Sequence, residues 1–419
     1  MSIQEEFIRF LQKSPTVWHA AKEISNRLAE ADFSPLSERE KWKLEQGRGY
    51  FLEREGALLC AFRLPKRKPT SAILLASHTD SPALKIKPQP DLSTREIAQL
   101  NTEVYGGPLL HSWLDRDLVI AGRIETDRGS ELIFLDSSPV IIPQLAIHLD
   151  KSIHEKGILV HKQDHLKPVL SIRGEETLEK ALKKQFSFKK LYSFDLFLVP
   201  TEKPSLLGEL IAGYRIDNLA SAYACLEALL ESKAHAQAIQ LAIFWDHEEI
   251  GSMSATGAGS FFIDEVLERI CLSMHIDREE FLCLKSRSQV FSADVTHAWN
   301  PNYADKYDPQ NSPLLGRGTV LKFNAGRKYA SDATSAAAIL KIAEKQGLEI
   351  QQAANRSDIP SGSTVGPIMS ANTGIRTLDI GIPCWAMHST REIISGTDLL
   401  NLGRLLKAAL STWVPGEEQ

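Results

Sequence analysis

From about residue 208 onward the chain alternates short apolar runs with stretches of helical period, and this alternation constrains the fold more than any other feature. Leu219, Ala222, Tyr223, Leu226, Leu229 and Leu230 fall on one side of a predicted helix over 217–231. Strands are predicted over 238–245 ("AIQLAIFW") and 289–293 ("QVFSA"). "TVLKF", a helix over 332–345, "LEIQQAA", "TLDIG", "PCWAMH" and a closing helix over 396–413 follow. Such alternation predicts an α/β fold, with a mostly parallel central sheet flanked by helices on both faces.

The N-terminal third reads differently. The first 33 residues are helical in pattern, with Ser14 as an expected N-cap, Pro15 at the first helical position, and Trp18, Ala21, Ile24 and Leu28 at helical spacing. "SAILLASHTDSPALKIKP" is a leucine-rich strand run that stops at polar residues and Pro82. From about 92 to 205 short strands such as "TEVYG", "LVIAGRIE", "ELIFLD" and "YSFDLFLVP" are separated by turn residues, with one helix expected over 176–190. The chain is therefore expected to hold two units: 1–91 with 206–419, and a β-rich insertion over 92–205. Its 419 residues agree with this, since a domain takes roughly 100–200.

Bulk properties exclude several classes. The net charge of −5 offers no basic field for nucleic acid or anionic lipid, so neither is an expected partner. The longest apolar runs fall well short of the ~20 residues that span a bilayer. "MSIQEEFIRFLQKSP" has no apolar core of a secretory signal. The five cysteines form no C-x-x-C pair, which argues against a disulfide framework or zinc knuckle and for a reducing, cytoplasmic setting. Cys384 reads as a small buried hydrophobe.

In open α/β sheets ligands bind beyond the carboxyl ends of strands. His78 and Asp80 follow "ILLAS", Glu248 and Glu249 follow "LAIFWD", Asp294 follows "VFSA", and His388 follows "PCWAM". Asp217 lies in the loop "GYRIDN" before a helix. Each has an ordinary reading beside the functional one. Asp217 suits a helix N-cap, Asp294 an Asx-turn, and Glu248–Glu249 a solvated acidic turn. His111, His235 and His275 fit no strand-end pattern and read as surface or packing residues. Taken together, two histidines among five carboxylates point to a two-metal hydrolytic centre, in which one carboxylate bridges ions ~3.5–4 Å apart. In "HTD", residues two apart share a side, so Asp80 suits the outer nitrogen of His78. In the Glu248–Glu249 pair, successive side chains diverge, so one can ligate a metal while its neighbour moves a proton. Asp246 and His247 are not expected to act directly.

These motifs carry a family resemblance. "SHTDSP" (77–82), "WLDRDLVIAGR" (113–123), "PQLAIHL" (143–149), "RIDN" (215–218), "HEEIGS" (247–252), "SADVTHAWNPNY" (292–303), "DIPSGSTVGP" (358–367) and "MHSTRE" (387–392) match, in order, the M18 metallopeptidases, the aspartyl aminopeptidase family. The resemblance implies a zinc-peptidase-type catalytic domain with an inserted dimerisation domain. It implies that Asp217 bridges two divalent ions, most simply zinc, with cobalt or manganese as substitutes. His78 and Asp294 would complete one ion, Glu249 and His388 the other. Glu248 would be the general base, and Asp80 would orient His78. His148 would come from the insertion and reach a neighbouring subunit's site. Assembly as a dodecameric shell, with peptides bearing a free N-terminus as substrates, is implied likewise.

The family's preference for acidic N-terminal residues requires a cation in the pocket, and Lys322, Arg327, Lys328 and Arg391 are the candidates. Gly326 stands where some members have lysine. Gly362 and Gly366 are expected to let a loop turn tightly near the site. Two other readings stand beside an aminopeptidase: an amide deacylase acting on small N-acyl compounds, and a non-catalytic shell protein of the same fold.

Overall fold

The structure, a computed structural model, describes residues 2–413. The strand–helix alternation builds a nine-stranded sheet. Its order is Ser34–Pro35, Gly49–Arg54, Leu58–Arg63, Ala238–Trp245, Ser71–His78, Gln289–Ala293, Arg376–Gly381, Thr319–Lys322 and Ile350–Ala353. Five of its eight pairings are parallel, so the mostly parallel sheet expected from the sequence is present.

The central strands are buried on both faces because their side chains alternate between two apolar layers. Ile73 and Leu75 join Phe244, Leu219 and Leu402 on one face. Ala72, Leu74 and Ala76 join Trp245, Val266 and Met369 on the other. Helices Ile216–Glu231, Ala333–Gln346 and Gly396–Thr412 cover the first face. Helices Phe262–Ser273, Arg278–Ser286 and Val365–Thr373 cover the second.

The N-terminal segment forms two helices, Ile3–Lys13 and Val17–Glu30. Ser14 closes the first, its N–H donating to the Leu11 carbonyl, and does not start the second. The helix starts after Thr16, two residues later than expected. The expected helix over 176–190 is confined to Leu178–Lys183. Beyond it Phe186 and Phe188 turn into an apolar cluster, and Asp127 accepts the Lys189 and Lys190 N–H groups.

A second sheet is wholly antiparallel, in the order Gly129–Val140, Leu118–Thr126, Leu191–Pro200, Ala83–Thr94, Ile97–Tyr105 and Val169–Ser171. It has its own core, built on Trp113, Leu118, Ile120, Leu196 and Leu198. Its first strand starts at Ala83, immediately after Pro82 and upstream of 92. A third sheet, which the sequence pattern did not suggest, runs Ser205–Leu207, Leu210–Gly213, Glu392–Ser395, Pro383–Trp385 and Thr296–His297. "PCW" belongs to this small sheet and not to the central one.

Candidate metal centre

Three adjacent central strands, Ala238–Trp245, Ser71–His78 and Gln289–Ala293, run parallel and finish at one edge. His78 sits in register with Trp245, which brings "HTD" beside "DHEE". Asp294 follows the third strand. Asp217 enters at the first turn of helix Ile216–Glu231, where its φ of −80° and ψ of 107° depart from helical values and the Asp217–Asn218 peptide is cis. Asn218 anchors that turn by donating to the Ala293 carbonyl (2.9 Å), and Ser81 does so by donating to the Asp217 carbonyl (2.6 Å). His388 arrives from the third sheet, through a turn with φ of 53° at Ala386 and 68° at His388.

The side chains converge. His78 Nε2 lies 3.5 Å from Asp217 Oδ1, 3.7 Å from Asp294 Oδ1 and 3.9 Å from Glu248 Oε2. His388 Nε2 lies 3.3 Å from Asp217 Oδ2 and 3.5 Å from Glu249 Oε2. The two Asp217 oxygens thus face different histidines. His78, Asp217 and Asp294 form one cluster of ligand-type atoms, Asp217, Glu249 and His388 form a second, and His78, Glu248 and Glu249 a third that overlaps both. Asp217 Oδ1 and Glu249 Oε1 are buried without a hydrogen-bond donor, as oxygens reserved for a cation would be. The donor set, imidazole and carboxylate, suits zinc and its neighbours.

Two further carboxylates hold the cluster from behind. Asp80 Oδ1 accepts the Glu248 N–H and Oδ2 the Glu249 N–H, each at 3.1 Å, while Oδ1 is 3.2 Å from His78 Nδ1. Glu392 accepts the His388 N–H (2.6 Å) and the Asp217 N–H (2.9 Å). Sequence reasoning missed Glu392. Its signal was its place four residues after His388, inside the matching stretch "MHSTRE".

The electrostatics are those of crowded acids. Burial, reinforced by Asp294, Asp80 and Asp217, pushes Glu248 up to about 8 against the opposing pull of His78. Burial and Asp217 raise Glu249 well above the carboxylate range. Burial alone would lower His78, but Glu248, Asp294 and Asp80 outweigh it and hold its pKa well above the usual value. Burial opposes His388 in the same way, and Asp217 overcomes it to give about 9. Asp294 is lowered despite its burial, chiefly by Lys322. Such a cluster holds protons where cations would otherwise sit.

The non-glycine residues Arg215, His247 and His388 have φ of 66°, 61° and 68°. Such conformations cost about 1–3 kcal/mol each and concentrate at functional sites. His388 lines a cleft of about 330 Å³ together with His297, Lys322, Tyr329 and Thr364. Arg215 and His247 line the neighbouring cleft on the antiparallel-unit side.

The remaining candidates divide. Lys322 is 1% exposed and lines the cleft. Its Nζ donates to the Val295 carbonyl (2.7 Å) and lies 3.7 Å from Asp294. Arg391 does not reach the cleft, because it is taken up by Glu202 (2.9 Å) and Ser205 (2.7 Å). Arg327 and Lys328 are exposed outside it. Gly366 needs no special turn, since it opens helix Val365–Thr373. A Cβ there would lie 2.5 Å from both Asp379 oxygens, so close approach is what demands glycine. Nothing lies within 4 Å of a Cβ at Gly362, and the structure gives no reason for it. His148 is exposed in the segment 143–150, apart from this chain's own cleft. His247 is bound to Ser254 (2.8 Å), and Asp246 accepts the His247 N–H (2.8 Å), so both stand behind the cluster.

Comparison with known proteins places the chain in a class. The sequence matches the family described as Aminopeptidase I zinc metalloprotease (M18) over residues 10–409. It is 37% identical over 413 residues to a probable M18 family aminopeptidase 2 of Clostridium novyi (strain NT), covering 94% of this chain and 95% of that protein. The M18 aminopeptidase structure from Thermotoga maritima superimposes with a TM-score of 0.87 at 28% identity, covering 98% of this chain and 96% of the other. The S. cerevisiae mApe1 dodecamer gives a TM-score of 0.82 at 26% identity, covering 97% and 96%.

The chain belongs to the M18 family of zinc metalloproteases. The enzyme class expected from the sequence, a metalloaminopeptidase, is that of its family. Among the described residues no helix is long and apolar enough to cross a membrane.

Proposed function

We propose that this protein is a dinuclear zinc aminopeptidase that removes N-terminal residues, preferentially Asp or Glu, from peptides. One observation carries the reading: the Asp217 carboxylate presents one oxygen to each of two ligand clusters that share no other group. His78 and Asp294 would hold one ion with Asp217, and Glu249 and His388 the other. Bound there, two zinc ions would act as Lewis acids and make hydroxide accessible near neutral pH.

The chain's own residues supply the rest. Glu248 groups with His78 and Glu249 at the edge of the centre and is left over once Asp217 is shared between the two ions. It takes the proton from the attacking water and passes it to the leaving amine. Asp80, facing His78 Nδ1, keeps that ring's Nε2 turned to the cleft. Lys322 is the buried cation of the cleft, and it supports acidic preference as the group that meets the substrate carboxylate. The free α-amine of the substrate would take a place at one cluster, which restricts cleavage to chain ends.

The exposed segment with His148 suits contribution to a neighbouring subunit's cleft. Leu145 and Leu149 flank it at 62% and 74% exposure, which suits burial between subunits. A homo-oligomer, assembled through the antiparallel unit into a dodecamer as in the S. cerevisiae relative, accords with this surface. A cytoplasmic location accords with five cysteines that are all free thiols.

The test is hydrolysis of aminoacyl-anilides carrying each N-terminal residue, with and without added zinc. Metal-dependent turnover, fastest on Asp or Glu, is expected. Turnover of N-acyl amino acids with inert peptides would replace the reading by a deacylase, and no turnover of either would remove it.

A further inference from the structure

We infer that Tyr105, at the end of strand Ile97–Tyr105 in the antiparallel unit, is a positioning residue for the metal ligands, so that this unit is a working part of the centre. The inference rests on the two-ion reading above.

Tyr105 Oη donates to Asp80 Oδ2 at 2.8 Å. That oxygen also accepts the Glu249 N–H, while Oδ1 accepts the Glu248 N–H and faces His78 Nδ1. Asp80 therefore touches three groups of the centre: its carboxylate holds the Glu248 and Glu249 N–H groups and lies against His78, whose Nδ1 also bonds the Asp80 main-chain carbonyl at 3.1 Å. The tyrosine hydroxyl fixes the carboxylate that fixes them. Asp80 and Tyr105 both line a second cleft, of about 220 Å³, at the junction with the antiparallel unit. On that side the hydroxyl opposes rotation of the carboxylate.

The same turn reaches the other histidine. The Gly107 carbonyl accepts from His388 Nδ1 at 3.0 Å, which leaves Nε2 free for a cation. Between them Gly106 has φ of 69°, and a Cβ there would lie 3.1 Å from Glu249 Cβ. The Leu109 N–H donates to the His388 carbonyl at 2.9 Å. Tyr105 to Leu109 thus runs along the outside of both clusters and makes direct bonds to groups of each.

The test compares Tyr105→Phe, Asp80→Asn and the double variant in full-length protein, reading zinc affinity by chelator competition. Tyr105→Phe keeps the ring packed edge-on against Phe197, with centroids 5.5 Å apart, so folding is retained. Zinc affinity is expected to fall about 10- to 100-fold, as for other groups that orient ligands. The double variant should lose little more than Asp80→Asn alone, because the hydroxyl acts through Asp80.

Arg123→Met is the control. Arg123 bonds the Glu55 carbonyl (3.0 Å) across the same junction without touching Asp80, and its loss should leave zinc affinity unchanged. Wild-type affinity in Tyr105→Phe, additive losses in the double variant, or an equal loss in Arg123→Met would each overturn the inference. Wild-type protein that binds no zinc would contradict the two-ion reading itself, and this inference with it.

Discussion

Asp217 and Glu248 occupy one pocket with different work to do, and their surroundings separate them. Asp217 is tied by its main chain to Glu392 and Ser81, so its carboxylate is left to span the two histidines. Glu248 is tied by its main chain to Asp80 and Gly251, and among the described residues its carboxyl makes no hydrogen bond and no ion pair nearer than 3.9 Å to His78 Nε2, which leaves it room for the proton transfer proposed for it. Glu248→Gln is expected to lower kcat by about 10²- to 10⁴-fold, with zinc content unchanged by metal analysis. Loss of zinc alongside activity would make it a ligand and not the base. Lys322 is held at the cleft wall by the Val295 carbonyl. Lys322→Met should cut kcat/KM on Asp-anilide by about 10- to 100-fold, the worth of one charged hydrogen bond. An apolar substrate should be affected far less. Equal loss on both would show that Lys322 supports Asp294 and does not read the substrate.

Strand ends and short turns place these side chains. The strands Ala238–Trp245 and Gln289–Ala293 fall where their apolar runs predict them, and His78, Glu248, Glu249 and Asp294 follow from where such runs stop. The sequence shows this because an apolar run buried on both faces has a clear end. His388 was assigned to the end of another such strand, but it comes from a small separate sheet whose strands are too short to have a readable period. The support from Asp80 to two backbone N–H groups, and from Glu392 to two more, was not legible either. Such bonds join residues up to 175 positions apart and leave no periodic trace. At Gly366 the helix Val365–Thr373 meets Asp379, which in turn holds Ala330 N–H (2.6 Å) and Thr364 Oγ1 (2.5 Å). Gly366→Ala must displace that carboxylate, at about 1–3 kcal/mol. Thermal scanning should show a lower Tm, and kinetics a raised KM, because the loops carrying Tyr329 and Thr364 line the cleft.

Across the whole molecule, metal and pH are linked through one acidic cluster. In metal-free protein Glu248 at about 8 and His388 at about 9 both lie above their unfolded values. The folded state therefore binds more protons than the unfolded one. Stability from His388 is full below about 6.5 and is lost as pH rises through 9, and ionisation of Glu248 through 8 acts in the same direction. Calorimetry of metal-free protein should show Tm falling from pH 6 to pH 9, with zinc raising Tm most at the alkaline end. A Tm that rose with pH would contradict the protonated cluster. Cross-sheet contacts such as Tyr105 to Asp80 mean that the antiparallel unit and the catalytic sheet share the site. The central claim is a pair of ions bridged by Asp217, and it is tested most directly by counting zinc per chain by elemental mass spectrometry in four proteins. Wild type should hold about two ions, His78→Ala and His388→Ala about one each, and Asp217→Ala none. A single ion in wild type, or two retained in Asp217→Ala, would contradict it.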